Sequence, residues 1–341
     1  GLSIEKPQAE NFFLPLTQCL VSIAQHGLLH PVTLRIAGVP HLVHHGKGIT
    51  PDFARGSAYG EFIERLQSGL FFYKYQSLEN DPELLLHSYA PDKEYRTKEE
   101  LLADSKKFDE FVATFKKYDV EICALAAHGN PLHPNKEIAA TYHEDFKNAV
   151  LLAEKLGVDT VITFSGCPGD HEEAKLPNWV TCAWPDDYIE ILNWQWNEKV
   201  IPYWTEMGAF CKAHGVKIAF EMHPGFCVYN PETLLKLRNA VGDVIGANFD
   251  PSHLIWQGMD PVAAIRELKG AIYHVHAKDT KIDKYNTAKN GVLDTKHYGK
   301  ELERSWVFRT VGYGNNETYW RDLVSNLRLC GYDKVLSIEH E

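Results

Sequence analysis

The chain has 341 residues, a formal net charge of −11 at pH 7, and an ordinary globular composition with 44% hydrophobic and 24% charged residues. This acidic balance argues against a nucleic-acid-binding protein, because phosphate binding depends on clustered Lys and Arg. The seven cysteines are scattered without CxxC spacing, which argues against a disulfide framework or a structural zinc site and predicts a cytoplasmic protein.

The first 82 residues carry the weakest pattern. Residues 1–16 have helical periodicity, and residues 12–24 are too short an apolar run to span a bilayer. The segment PVTLRIAGV (31–39) is predicted to be a β-strand. Because residue 341 falls at the end of another predicted strand, we expect either that the chain is truncated or rearranged or that residues 1–16 supply the helix that would follow it. We therefore interpret residues 1–82 as a barrel-closing helix and a first βα unit.

From residue 83 onward, short β-branched runs alternate with longer amphipathic stretches, which is typical of βα units around a parallel sheet. The predicted strands are 83–89, 120–128, 159–166, 216–223, 243–250, 271–279 and 334–341. The predicted helices are 137–157, 186–215, 231–242, 261–270 and 317–331. Several of them stop at a glycine, such as Gly157. The pattern predicts a single α/β barrel domain, with seven strands in residues 83–341 and 31–39 in the N-terminal segment as the candidate eighth strand.

Four predicted strands end in residues of the types that bind metals. These residues are Glu221, Asp250, His276 and Glu339. The C-terminal strand ends of a parallel barrel meet on one rim, where three ionised carboxylates would repel each other unless a cation neutralised them. Each carboxylate could instead cap a helix or pair with Lys or Arg, but four such residues on one rim favour a site for one divalent ion. The donor set suits Mn²⁺, Mg²⁺, Co²⁺ or Zn²⁺.

Six motifs at these strand ends resemble the sugar phosphate isomerase/epimerase group of the xylose isomerase-like superfamily. They are AHGNPLHP (127–134), TFSGCPGD (163–170), FEMHPGF (220–226), NFDPSHL (248–254), HVHAKDT (274–280) and SIEHE (337–341). The resemblance implies a (β/α)8 TIM barrel in which Glu221, Asp250, His276 and Glu339 bind the metal. It also implies that the two glutamates act as acid and base, and that the protein is a homo-oligomer.

The chemistry of such a site independently supports isomerisation or epimerisation of a small carbohydrate. A metal that chelates a carbonyl and its neighbouring hydroxyl acidifies the C–H bond between them, so a carboxylate can remove that proton to form a cis-enediolate. Returning the proton to the other face gives an epimer, and returning it to the adjacent carbon interconverts aldose and ketose. We therefore expect Glu221 and Glu339 to be the catalytic pair.

Three further histidines are candidates for substrate binding. His253 follows Asp250 by three residues and is placed to hydrogen-bond a substrate hydroxyl, with a loop-capping role as the alternative. His223 shares the strand face of Glu221 and points toward the rim. His128, at the end of the strand 120–128, is expected either to line the pocket, to ligate a second metal, or to fill a structural position.

Two loops contribute the remaining candidates. Lys278 and Lys281 flank Asp279, where a cation could meet a phosphate or sugar oxygen, although solvated loop lysines are the default interpretation. The long segment 167–188 carries Trp179 and Trp184, whose rings could stack on the C–H faces of a sugar. The same tryptophans could instead pack the loop itself or an oligomer contact.

Three alternatives stay open at this stage. The same enediolate could end in elimination, which would make the protein a lyase or dehydratase acting on a 3-keto-glycoside or an inosose. An endonuclease acting on abasic DNA uses the same fold, but it needs more histidine ligands and a basic groove than this acidic chain offers. A barrel that binds a sugar without turnover is the third alternative.

Overall fold

A computed structural model describes residues 96–339 in full and, within the first 95 residues, the backbone of four strands. The chain divides into two compact units, Gly1–Tyr95 and Arg96–Glu341. The boundary predicted between residues 82 and 83 and the strand predicted at 83–89 both lie outside the described residues, so both stay predictions.

The four strands of the first unit form an antiparallel sheet in the order β1-β2-β3-β4. They are β1 (Leu2–Glu5), β2 (Cys19–Ile23), β3 (His30–Ile36) and β4 (Val39–Gly48). The helix predicted for residues 1–16 is therefore wrong over β1, because these residues pair with β2.

The strand predicted at 31–39 is confirmed as β3, but its place in the parallel barrel sheet is wrong. Only residues 37 and 38 separate β3 from β4, and the two strands pair antiparallel. Such a short connection joins antiparallel neighbours, since a parallel neighbour needs a crossover of about a dozen residues.

The second unit contains a six-stranded parallel sheet and a two-stranded antiparallel hairpin. Its strands are β5 (Leu125–Ala126), β6 (Thr160–Thr163), β7 (Lys217–Glu221), β8 (Ile245–Phe249), β9 (Ile272–Ala277), β10 (Asp279–Ile282), β11 (Trp306–Arg309) and β12 (Leu336–Ile338). The parallel sheet runs β5-β6-β7-β8-β9-β12, and β10 pairs with β11. Each of the six strands predicted between residues 120 and 341 contains one parallel strand of the structure, although the strand predicted at 120–128 is reduced to the two residues of β5.

The parallel strands are short apolar runs because helices cover them. Every residue of β6 and of β8 is buried. Parallel strands enclosed in this way lose the alternation of apolar and polar residues that marks a half-exposed sheet. Polar residues of the chemical types expected at an active site therefore appear where these runs end.

The five predicted helices are confirmed. In chain order the helices are α1 (Lys98–Ala103), α2 (Ser105–Lys117), α3 (Lys136–Leu156), α4 (Asp186–Trp194), α5 (Ile201–Ala213), α6 (Pro231–Val241), α7 (Pro251–Trp256), α8 (Pro261–Glu267), α9 (Lys284–Asn290) and α10 (Glu317–Leu329). Gly157 ends α3 with a positive φ of 73°, as its type predicts. Within the described part of the chain, no helix has both the length and the apolar composition needed to cross a membrane.

A π-helix, Gln195–Val200, joins α4 to α5 and fixes the long loop that follows β6. The Gln195 side chain is 1% exposed, and its Nε2 donates to the carbonyls of Pro168, Gly169 and Asn178. One buried amide therefore holds both ends of the segment 168–178.

The β10–β11 hairpin leaves the sheet directly after β9 and is anchored by the fully buried carboxylate of Asp279. Its oxygens accept hydrogen bonds from the backbone N–H groups of Thr280, Gly312, Gly314 and Asn315 and from the side chains of Asn315 and Trp320. A Cβ at Gly314 would lie 2.5 Å from Asp279 Oδ1, so only glycine fits there. This carboxylate fixes the chain after β11 against the rim of the sheet.

Candidate metal centre

Four metal-ligand side chains meet at the C-terminal rim of the parallel sheet. Glu221 ends β7, Asp250 follows β8, His276 lies in β9 and Glu339 follows β12. Each offers one ligand atom, and these atoms lie within 4.8 Å of one another. Two ligands of one ion bound at 2.0–2.2 Å are at most about 4.4 Å apart, so small side-chain movements would complete a coordination sphere.

The carboxylate of Asp250 is the clearest sign that this group suits a cation. Its Oδ1 accepts a hydrogen bond from the backbone N–H of Ser252 at 2.8 Å. Its Oδ2 is buried and accepts no hydrogen bond from the described residues, although His253 Nε2 lies 3.5 Å away. Burial, opposed by the nearby His253, raises the pKa of Asp250. A bound cation would satisfy this oxygen and favour the ionised carboxylate.

Glu221 is 4% exposed and is surrounded by nitrogen donors. Its Oε1 lies 3.1 Å from His253 Nε2, and its Oε2 lies 3.4 Å from His128 Nε2 and 3.5 Å from His276 Nδ1. Burial by itself would raise the pKa of Glu221, but the contacts with His128 and His253 outweigh burial and hold the pKa well below its usual range. These contacts favour the ionised form of Glu221, which is the form that binds a metal.

Glu339 lies on the other side of His276 and is more open, with its side chain 36% exposed. Its Oε2 is 2.9 Å from His276 Nδ1, and its Oε1 accepts a hydrogen bond from Lys278 Nζ at 2.8 Å. Burial opposes ionisation here too, but the contacts with His276 and Lys278 lower the pKa of Glu339 to about 2. For His276, burial lowers the pKa, while the contact with Glu339 reverses that effect and raises it.

The three other predicted histidines lie on the Glu221 side of the group. The rings of His223 and His253 are 4.1 Å apart, and Glu221, His223 and His253 form a second set whose ligand atoms lie within 4.8 Å of one another. Burial, together with the charge of His253, lowers the pKa of His223 to about 4. His128 packs against Phe164 with ring centroids 4.5 Å apart. These side chains form one wall of the site.

The other three residues predicted to bind substrate have no described contact with the four candidate ligands. They are Lys281, Trp179 and Trp184. Lys281 is exposed in β10, and its Nζ donates to the carbonyl of Gly314 at 3.3 Å. Trp179 packs edge-on against Tyr229 at 5.5 Å, and Trp184 is 76% exposed. None of these contacts involves a candidate ligand.

Two further polar residues contact the candidate ligands: Asn248, which was not predicted, and Lys278, for which a solvated loop lysine was the default interpretation. Asn248 is fully buried, and its Nδ2 donates to Glu221 Oε2 at 3.2 Å. Lys278, interpreted from the sequence as a solvated loop lysine, is 3% exposed and pairs with Glu339, so that interpretation is wrong. Strand alternation could have identified both residues, because Asn248 lies two residues before Asp250 and Lys278 two residues after His276.

Comparisons with known proteins agree with this architecture. Residues 84–341 match the family model described as xylose isomerase-like TIM barrel. The uncharacterized protein YfiH of Bacillus subtilis (strain 168) is 43% identical over 246 residues, which are 71% of this chain and 78% of the relative. An inosose dehydratase of Clostridium perfringens is 28% identical over 90 residues, which are 26% of this chain and 30% of the enzyme.

Among solved structures, a D-tagatose 3-epimerase-like protein aligns with a TM-score of 0.48 at 22% identity. The alignment covers 71% of this chain and 78% of the chain of that protein. The family model spans the described parallel sheet and all four candidate metal ligands. The chain therefore belongs to the xylose isomerase-like TIM barrel family.

Proposed function

We propose that the chain is a divalent-metal-dependent isomerase or epimerase that acts on a sugar or sugar derivative through a cis-enediolate. The observation that carries the proposal is the convergence of Glu221, Asp250, His276 and Glu339 within 4.8 Å, with one buried oxygen of Asp250 left without a hydrogen bond from the described residues. Bound there, a divalent ion would supply a Lewis acid for a carbonyl and its neighbouring hydroxyl.

In this proposal the two glutamates move the proton. Both are held ionised, so either can take a proton from the carbon next to a carbonyl. The C–H electron pair stays on the substrate as the enediolate, and a new O–H bond forms on the carboxyl group. For isomerisation the first glutamate returns this proton to the adjacent carbon. For epimerisation the second glutamate, once it has taken a proton from water, delivers it to the other face of the enediolate. His253 and His128, both within 3.4 Å of Glu221, are placed to hydrogen-bond substrate oxygens.

Family membership supports a sugar-modifying enzyme, and the keto-sugar or sugar-phosphate substrate is part of the proposal. The protein is expected to act in the cytoplasm on a small carbohydrate, as a homo-oligomer, without binding nucleic acid or a membrane. Mn²⁺, Mg²⁺, Co²⁺ and Zn²⁺ all suit three carboxylates and an imidazole. The exposed position of Lys281 and its bond to a backbone carbonyl make it a weaker substrate-binding candidate than the histidines.

The first test is the metal content of the purified protein, measured by elemental analysis for the parent and for a Glu221→Gln, Glu339→Gln double variant. We expect about one Mn, Mg, Co or Zn per chain in the parent and a loss of that metal in the variant. A Glu232→Gln, Glu317→Gln variant is the matched control, because it removes the same two charges from exposed positions at the starts of α6 and α10. A parent that stays metal-free after incubation with Mn²⁺ or Co²⁺ rules the proposal out.

A metal-dependent dehydratase is the second candidate, and the identity to an inosose dehydratase over 90 residues favours it. Both candidates begin with removal of the same proton, so they differ only in the fate of the enediolate. Incubation of ketoses, 3-keto-glycosides and inososes in D₂O separates them by NMR. Isomerases and epimerases incorporate solvent deuterium and keep every hydroxyl, whereas a dehydratase releases water and gives an unsaturated ketone that absorbs in the ultraviolet.

A further inference from the structure

Each of the two proposed catalytic glutamates presents its two oxygens to different partners. In both residues Oε2 faces the same imidazole, at 3.5 Å (Glu221) and 2.9 Å (Glu339) from His276 Nδ1. The other oxygen of each residue meets a different nitrogen. Oε1 of Glu221 lies 3.1 Å from His253 Nε2, and Oε1 of Glu339 lies 2.8 Å from Lys278 Nζ. His253 and Lys278 therefore occupy equivalent places beside the two carboxylates.

The burial of Lys278 calls for a physical reason. Its side chain is 4% exposed, and lysine is among the residues that proteins bury least often because its ammonium loses hydration. The chain is extended here, so Lys278 lies on the strand face of His276, one step nearer the rim. This position directs the ammonium to the same carboxylate that contacts His276.

Phe308 of the β10–β11 hairpin covers this arrangement. Lys278 Nζ lies 4.4 Å from the centre of its ring, and the same ring meets the His253 ring edge-on at 5.5 Å. The ring is buried and attracts the cation while keeping water from it. One side chain of the hairpin thus touches both residues that hold the Oε1 atoms of the glutamates.

We propose that Lys278 is a positioning residue that keeps Oε1 of Glu339 out of the metal coordination sphere. The inference rests on the proposed function, in which Glu339 both binds the metal and transfers a proton. A carboxylate that chelates a metal through both oxygens has no free oxygen left to accept a proton from the substrate. With Lys278 holding Oε1, Glu339 would offer only Oε2 to an ion, and the contact of His253 with Oε1 would do the same for Glu221.

The held oxygen remains able to accept a proton. A carboxylate oxygen has two lone pairs, of which one accepts the hydrogen bond from Lys278. The other takes the proton from the substrate C–H bond, whose electron pair stays on the substrate. The ammonium has a second effect, since a positive charge beside the site repels the divalent ion. Lys278 therefore weakens metal binding while it preserves the base.

This reasoning predicts that a Lys278→Met variant binds metal more tightly and turns over more slowly. Mn²⁺ affinity, measured by titration calorimetry at a fixed pH, is expected to increase about tenfold because a neighbouring positive charge is gone. With the site saturated, kcat for deuterium incorporation into the substrate is expected to fall about 100-fold with little change in KM. A Lys278→Arg variant, which keeps the charge, should return the Mn²⁺ affinity to the parent value and recover part of kcat.

Lys334→Met is the matched control, because it removes a lysine that pairs with Asp159 at 3.1 Å before β12, at the opposite end of that strand from Glu339. It should leave both measurements at parent values. Mn²⁺ binding by Lys278→Met that is unchanged or weaker, or an unchanged kcat, overturns the inference. Should that variant not fold, Lys278→Gln gives the same affinity comparison. A parent that binds Mn²⁺ but exchanges no substrate proton disproves the proposed function, and the affinities still decide the role of Lys278.

Discussion

Replacing Asp250 by asparagine should make the metal-free protein more stable and the metal-loaded protein less stable than the parent. Asp250 is 1% exposed, and its Oδ2 is buried without a hydrogen bond from the described residues. An unsatisfied buried polar atom costs about 1–3 kcal/mol. The asparagine amide would still leave a buried nitrogen without a partner, but its oxygen would accept from Ser252 and the buried charge that Glu221 repels would be gone. Because an unsatisfied charged group costs more than a neutral one, we expect the metal-free variant to gain about 1–3 kcal/mol.

The assay is thermal unfolding in EDTA and in excess Mn²⁺. In EDTA the variant should unfold about 2–12 °C above the parent, from about 2–4 °C per kcal/mol for a domain of this size. Mn²⁺ at about a thousandfold excess over its Kd should stabilise the parent by about 4.1 kcal/mol, more than the variant's advantage in EDTA. The variant should gain little, because one of its four ligands has lost its charge. The order of the two melting temperatures is therefore expected to reverse between the two buffers.

Asp260→Asn is a close control for this experiment. Asp250 and Asp260 both precede a proline, and both cap the start of a helix through a side-chain oxygen. Asp260 is exposed and lies outside the ligand group, so its replacement should change stability by less than about 0.5 kcal/mol and leave the Mn²⁺ effect intact. An Asp250→Asn variant that melts below the parent in EDTA would refute the reasoning, because it would show that the buried carboxylate stabilises the metal-free fold.

Three further predictions concern the elements that support the site. Asp279→Asn should lower the free energy of unfolding, measured in urea, by about 2–4 kcal/mol. Both carboxylate oxygens accept hydrogen bonds, so the NH₂ group of an asparagine would face hydrogen-bond donors in either orientation. A loss below about 0.5 kcal/mol would contradict this prediction. Gln195→Ala should speed hydrogen exchange across residues 168–178, because three carbonyls lose their common donor; unchanged exchange would count against that role. Burial opposes ionisation of Asp294, but a hydrogen bond from Lys296 helps to lower its pKa to about 2. Its contribution to stability is therefore complete above its unfolded-state pKa of about 4 and is lost as the pH falls through about 2, so Asp294→Asn should flatten the acid limb of the stability curve. Equal acid limbs for both proteins would exclude that contribution.

The sequence alone was sufficient to predict the strands of the parallel sheet, because enclosed parallel strands are short apolar runs that end at a rim. The same logic singled out Glu221, Asp250, His276 and Glu339, since four residues of metal-ligand type on one rim are hard to explain as four separate helix caps or ion pairs. The predicted parallel topology brings the ends of these strands together on one rim. The sequence alone was therefore enough to predict that these four side chains lie close to one another.

Strand pairing and the burial of individual side chains could be read only from the tertiary structure, because hydrophobic periodicity does not encode them. The pattern of residues 31–39 predicts a strand equally well in a parallel or an antiparallel sheet, and only the pairing of β3 with β4 settled which one forms. A lysine that follows a strand is usually exposed to solvent. In the structure, however, Phe308 of the β10–β11 hairpin packs over Lys278, and the ammonium is buried beside Glu339. Burial and partner choice depend on segments far apart in the chain, whereas local sequence carries only strand, helix and turn preferences. For that reason the candidate ligands were predictable, and some of the side chains that contact them were not.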